Sequence, residues 1–331
     1  MITYHEFERL TAADKAIYQT IMEQLLHLSA TLQFTSVGYE KIFSLYNKVL
    51  LDHPEIFWLK QAGNSRIVRS RLGETVYFTP AFHEGMNAST VPAMKRQIES
   101  SVSAIVNRAS RLKGEYAKVL YVHDFLVDNT RYSFGPNCYD VYGCLIQHRA
   151  VCAGYAATFQ LLLHKLGISC GRISGLKIDS LSSQADHEWN YCRIDNQYYY
   201  VDVTWDDPVS LGLKTDVKTH HYFCLSEKEL ALSHRLEKGE GFIPVCNSTR
   251  YNYYVYHNMN VGTYSFAHVY QIIAAQLKSS NEIHLKFDTK LETERAVADL
   301  LHNNKIYNIP GIPPKLSYST SKSGLILTVN I

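Results

Sequence analysis

Between residues 6 and 33, Phe7, Leu10, Ile17, Ile21, Leu25, Leu28 and Leu32 recur at helical spacing, and Thr11 with Asp14 reads as a capping pair that splits off the first turn. A second helix is predicted over about 38–52, where Ile42, Leu45, Tyr46 and Val49 share a face; it ends near His53-Pro54 because the residue before a proline resists helix. The period then changes to two. Residues 67–72 and 75–82 alternate like paired strands around Gly73-Glu74. Helical spacing returns from Val91 to about Asn129 through Met94, Ile98, Val102 and Ile105, breaks at Gly114, and resumes through Ala117, Leu120, Tyr121 and Phe125. A loop is expected over 131–148, holding Tyr132, Tyr139, Tyr142, Gly143 and Gln147. The end of the chain reads as a strand from Tyr251 in YNYYVYH, a helix over about 264–278, a strand at 282–287, a helix over about 291–303 and a closing hairpin from KLSYST and GLILTVN.

The stretch from Arg149 to Pro208 combines these patterns with candidate chemistry. Cys152 stands at the mouth of a helix in which Ala156, Phe159, Leu163 and Leu166 recur, with Gly167 as the stop. Unpaired backbone N–H groups and the positive end of the macrodipole favour a thiolate there. HEWNYCRI (187–194) and YYYVDVTWDDP (198–208) flank Asp195-Asn196-Gln197 and read as an antiparallel hairpin. If Asp195 and Asn196 are its two-residue loop, Trp189 faces Asp202, and His187 lies diagonally across from Asp202 on the same face, within side-chain reach. A register shifted by one residue would separate them. Nucleophile, base and base-orienting carboxylate then follow in the order Cys152, His187, Asp202. Taken singly, each has a plain structural explanation; an aspartate inside the apolar run YYYVDVTW, however, must find a partner.

The motifs formed by Cys152, Gly154, Tyr155 and Ala156, by His187, Trp189 and Asn190, and by Val201, Asp202, Thr204, Trp205, Asp206, Asp207 and Pro208 resemble the transglutaminase-like superfamily, particularly its bacterial branch of cysteine-dependent proteins related to papain-type enzymes. Gly167-Ile168 and Gly175 fit as well, and the resemblance covers about 115–225. Glu188 departs from it, standing where the family more often has Ala. The resemblance implies an α+β fold: a papain/transglutaminase-like core at 91–248, its nucleophile helix packed on an antiparallel sheet. A mixed helix and strand module at 1–90 and a small α/β module at 249–331 flank it. It also implies an enzyme acting on amide bonds through a thioester, as a protease, amidase or glutamine deamidase. A cross-linking transglutaminase or a non-catalytic interaction module are the alternatives. Papain-type chemistry needs an oxyanion donor besides the Cys152 backbone N–H, and Gln147 and Tyr142 are the candidates; Trp189 and Trp205 are expected to wall the site.

Composition narrows the remaining choices. An apolar fraction of 46% with 19% charged residues is that of a soluble globular protein, and a net charge of +2 with dispersed Lys and Arg argues against nucleic acid as a partner. No apolar run approaches a membrane span, and the first residues carry no Sec-type signal pattern, so a cytoplasmic location and a protein or peptide substrate are expected. Seven cysteines without CxxC pairs form neither a disulfide framework nor a zinc site. His220, His221 and His234 lack the spacing of a metal site, so neither metal nor cofactor is expected. Composition and motifs leave the oligomeric state open.

Overall fold

The computed structural model describes residues 2–71, 73–178, 185–207, 218–237 and 241–331. Helix α1 (His5–Glu8) is one turn, and α2 (Ala12–Leu26) begins where the Thr11 hydroxyl accepts the Asp14 amide, the cap anticipated above. The helix does not continue to Leu32. Leu28 turns to a φ of 57°, and Leu32 opens strand β1 (Leu32–Thr35), in which Leu32 and Phe34 are buried and Gln33 and Thr35 exposed. Helical spacing and strand alternation both want an apolar residue at that position, which is why spacing alone assigned it to the helix. Helix α3 (Tyr39–Asp52) stops at His53, before Pro54. Strands β2 (Leu59–Ser70) and β3 (Gly73–Phe82) pair Ile67 with Val76, Arg69 with Glu74 and Ser70 with Gly73, so Gly73-Glu74 belongs to the returning strand and is not the turn. Gly73, at a φ of 115°, opens the returning strand; Leu72 lies outside the described residues.

Helices α4 (Val91–Ala109) and α5 (Glu115–Asn129) meet at Gly114, whose φ of 80° is the predicted break. Strand β4 (Arg131–Tyr132) follows, and the expected loop then contains a short helix, α6 (Val141–Ile146). It starts there because the Asp140 carboxylate accepts the amides of Tyr142 and Gly143, a cap that outweighs weak periodicity over so few residues. Strand β5 (Arg149–Ala150) pairs parallel with β4 and leads into α7 (Cys152–Lys165), which closes at Gly167 with a φ of 77°. Strands β6 (Cys170–Lys177), β7 (Ala185–Ile194) and β8 (Gln197–Val201), the single turn α8 (Val203–Asp206), α9 (Glu227–Leu230) and strand β9 (His234–Leu236) complete this part. The antiparallel sheet has the order β8-β7-β6-β9. Its β7/β8 hairpin pairs Asn190 with Val201 and Ile194 with Gln197, closed by Asp195 at a φ of 46° and Asn196 at 66°. That is the two-residue loop and register derived from the sequence. Pro208, the last residue of the third motif, lies outside the described residues.

Helix α7 carries Tyr155, Phe159, Leu162 and Leu163 fully buried against this sheet, and one hydrophobic cluster runs from Tyr18 and Trp58 through Val119 and Phe159 to Phe223. Beyond it, the expected strand at 251–257 is the helical turn α10 (Tyr253–Tyr256), because the Asn252 side chain accepts the Tyr254 amide and starts a helix in an aromatic run that otherwise suits a strand. Strand β10 (Asn260–Gly262), helix α11 (Phe266–Gln276), strand β11 (Glu282–Phe287), helix α12 (Lys290–Ala296) and strands β12 (Ser317–Thr320) and β13 (Ile326–Asn330) follow. They form a sheet of order β10-β11-β13-β12 over a separate cluster built on Val269, Ile273, Leu285 and Leu300. The protein is thus α+β. Among the described residues no helix is long and apolar enough to cross a membrane.

Candidate functional site

Cys152 is the first residue of α7, after an extended Val151, so its amide is one of those a helix start leaves without an intrahelical acceptor. The lead-in is held from two sides: Tyr132 pairs with Ala150, and the Val151 amide donates to the Cys138 carbonyl at 2.8 Å. Gly154 explains itself here, since a Cβ would lie 2.6 Å from the Cys138 oxygen and 2.9 Å from the Ala150 methyl. The Tyr155 hydroxyl donates to Asp207 at 2.5 Å, and Asn190 Nδ2 donates to the carbonyls of Ala156 at 3.0 Å and Gly171 at 3.1 Å. Residues of the three sequence motifs therefore bolt the helix start to the hairpin. Cys152 is half-buried, whereas the other six cysteines are buried.

His187 reaches this helix start from β7, where Cys152 is among the groups that raise its proton affinity. Its Nε2–H donates to Asp202 Oδ2 at 2.7 Å, because a carboxylate only accepts; Nδ1 is then the ring nitrogen left for sulfur. Burial alone would lower the proton affinity of His187. The Asp202 charge and hydrogen bond, joined by those of Cys152, outweigh it and raise the pKa to about 10. Asp202, also buried, is held below the usual carboxylate range: burial pushes its pKa up, but His187 and His234 pull it further down. Its Oδ1 accepts the Trp205 amide at 3.2 Å, and Oδ2 accepts a second imidazole, His234 Nε2, at 3.0 Å.

Both tryptophans lie beside His187. The rings of Trp189 and Trp205 stand 5.9 and 5.6 Å from the His187 ring, and both are buried. Gly175, paired with His187 across β6, leaves room for Trp189, whose ring a Cβ there would meet at 2.6 Å. Of the two candidate oxyanion donors, Gln147 gives one of its two amide N–H groups to Asn137 at 3.1 Å, and the Tyr142 hydroxyl donates to Gln97 on α4 at 2.8 Å. Tyr132, expected only as a loop residue, interacts with the Cys152 thiol through its phenol. Burial raises its pKa, and so do charge interactions with Cys152 and Asp202. Glu188, the departure from the motif, faces away to an ion pair with Arg172 at 3.1 Å.

Among the described residues, two groups, His187 with Asp202 and His234, and His123 with Asp124 and His220, bring potential metal-ligand atoms within 4.8 Å of one another. In each group two imidazole nitrogens sit on a single carboxylate oxygen, at 2.7 and 3.0 Å on Asp202 Oδ2 and at 3.0 and 2.8 Å on Asp124 Oδ1. Those nitrogens carry the hydrogens of hydrogen bonds and not the lone pairs a metal needs. Lys218 Nζ, 3.4 Å from Asp124, adds a cation to the second group.

Fold and site together define a class: an α+β protein in which a helix-start cysteine meets a buried histidine and aspartate carried by an adjacent antiparallel hairpin. Residues 103–203 match the family model described as the transglutaminase-like superfamily, the resemblance read from the motifs. A search of curated proteins finds no match. Solved structures similar to this chain include a TGase crystal structure at 13% identity and a TM-score of 0.31, covering 50% of this chain and 48% of its own. A candidate cysteine protease from Cytophaga hutchinsonii follows at 13% identity and a TM-score of 0.27, covering 43% and 62%, and a candidate protease from Parabacteroides distasonis at 11% and 0.26, covering 42% and 35%. The chain thus spans about half of the first of these structures.

Proposed function

We infer that the protein is a cysteine-dependent enzyme that acts on an amide bond through a thioester acyl-enzyme, with water as the acceptor. The observation that carries this reading is a half-buried cysteine at a helix start that interacts with His187, whose Nε2–H in turn donates to the buried Asp202 at 2.7 Å. In that reading the Cys152 sulfur attacks the carbonyl carbon while the backbone N–H at the helix start stabilises the oxyanion. His187, charged in the resting pair, gives its Nδ1 proton to the leaving amine. It then takes a proton from water, which attacks the thioester and releases the acid. Asp202 keeps Nε2 protonated and the ring aligned throughout. The walls of Trp189 and Trp205 keep water from competing for the His187 to Asp202 bond.

The test is a library of amide substrates assayed without added amine, beside the pH dependence of alkylation at Cys152. Release of ammonia or a free amine by the wild type, abolished by Cys152→Ala with the fold retained, is the expected result. An ion-paired thiolate also alkylates at a rate that levels off well below the pKa of about 8.5 of an ordinary thiol. Turnover only when a primary amine is supplied would make the protein a cross-linker. No turnover, with alkylation rising tenfold per pH unit like a free thiol, would make it a scaffold.

A further inference from the structure

We propose that His234 is a positioning residue of the Cys152 site: as a neutral imidazole it donates its Nε2–H to Asp202 and so sets how tightly that carboxylate holds His187. The inference rests on the functional reading above. Three N–H groups converge on a carboxylate that is only 1% exposed: His187 at 2.7 Å and His234 at 3.0 Å, both on Oδ2, and the Trp205 amide at 3.2 Å on Oδ1. On its other side, His234 Nδ1 lies 2.9 Å from the Ser233 hydroxyl. A neutral ring protonated at Nε2 satisfies both contacts, since Nδ1 then offers a lone pair to the serine O–H.

Like-charge repulsion gives the same answer. His187, charged in the reading above, shares Oδ2 with His234, so a second imidazolium on that buried oxygen would face a like charge at close range. The groups that face His234 are Asp202, His187, Ser233, Tyr222, Trp189 and Trp205, the rings standing 5.6, 5.7, 4.8 and 4.7 Å away for His187, Tyr222, Trp189 and Trp205. Burial and the His187 charge lower the proton affinity of His234 against the pull of Asp202. A ring that merely filled this aromatic enclosure would need no donor. This one spends its N–H on the oxygen that holds His187, drawing off part of the carboxylate charge that His187 feels.

The experiment compares the pH dependence of Cys152 alkylation by iodoacetamide in the wild type, His234→Phe and His234→Gln, with folding checked by near-UV circular dichroism. Losing the donor leaves more charge for His187, so the upper inflection, where His187 deprotonates, should move up by about one pH unit in the phenylalanine variant. Glutamine, which keeps an N–H, should return it toward the wild-type value. Nitrogen NMR of the wild type, labelled at histidine, should find His234 neutral and protonated at Nε2 at pH 7, a measurement that needs no variant to fold. An unmoved inflection in a folded phenylalanine variant, equal displacement in both variants, or a charged His234 overturns the proposal alone. A wild type whose Cys152 alkylates like a free thiol overturns the functional reading, and this proposal with it.

Discussion

Asp202 receives more donors than the base-orienting role needs, and each constrains a different freedom of the carboxylate: the Trp205 amide its rotation, His187 and His234 the direction of Oδ2. Asp202→Asn should therefore fold yet lose about 10³–10⁴-fold in kcat/KM, because an amide presents an N–H where His187 needs an acceptor and leaves the ring in the wrong tautomer. Steady-state kinetics on whichever amide substrate the library yields, beside an unchanged circular dichroism spectrum, checks this. At this scale Cys152, His187 and Asp202 are readable in the sequence, since each sits in a local motif and the register of one hairpin relates the last two. His234 is not. It meets Asp202 only because β9 pairs with β6, placing His234 opposite Lys177, and no local spacing encodes that contact.

Among the elements, the β7/β8 turn decides whether the site exists. Asp195 and Asn196 both hold positive φ, which asparagine tolerates and a β-branched residue does not. Asn196→Val should lower the urea midpoint with an unchanged slope, a loss of about 1–2 kcal/mol, while Asn196→Gly should hold the wild-type midpoint. Activity should fall further than stability in the valine variant, because any molecule whose hairpin slips by one residue turns His187 to the opposite face. The turn is also tied from outside, its Asp195 carboxylate accepting the Tyr251 hydroxyl. Elements that spacing misassigned share one cause. Leu32 and the aromatic run at 251–257 fit two periods equally, and a local event broke each tie: the positive φ of Leu28 and the Asn252 cap.

Across the whole molecule, a buried cluster behind the site joins parts distant in sequence. His123 on α5 lies 3.1 Å from Asp206 on α8 and 3.0 Å from Asp124, and Asp206 also accepts the Tyr222 amide. Burial lowers the His123 proton affinity, but the two carboxylates more than reverse this and raise its pKa to about 9. Its folded-state pKa exceeds the unfolded value, so its stabilisation is complete below about pH 6.5 and is lost as pH rises through about 9. Thermal unfolding of the wild type should weaken over that interval. His123→Gln should cost about 3–5 kcal/mol at pH 6, where it takes the cation away from the buried Asp206, and show a flatter pH dependence. The C-terminal sheet joins the same assembly through Lys286 to Glu229 at 2.7 Å and through Lys322, whose ammonium stands 4.7 Å over the Trp205 ring.

By itself the sequence determined the helix that begins at Cys152, the hairpin that carries His187, and the register that brings Asp202 beside it, because helix starts, turn residues and strand alternation are local properties of the chain. Gly154 and Gly175 could be read there as fitting the motifs, but the contacts that forbid a Cβ at each became visible only in three dimensions. Tertiary structure alone decided that His234 shares the Asp202 carboxylate, that Tyr132 interacts with Cys152, and that Gln147 and Tyr142 donate to Asn137 and Gln97. The reason is the same in each case. A hydrogen-bond donor has several acceptors within reach of its own segment, and only the packing of distant strands and helices selects which of them it meets.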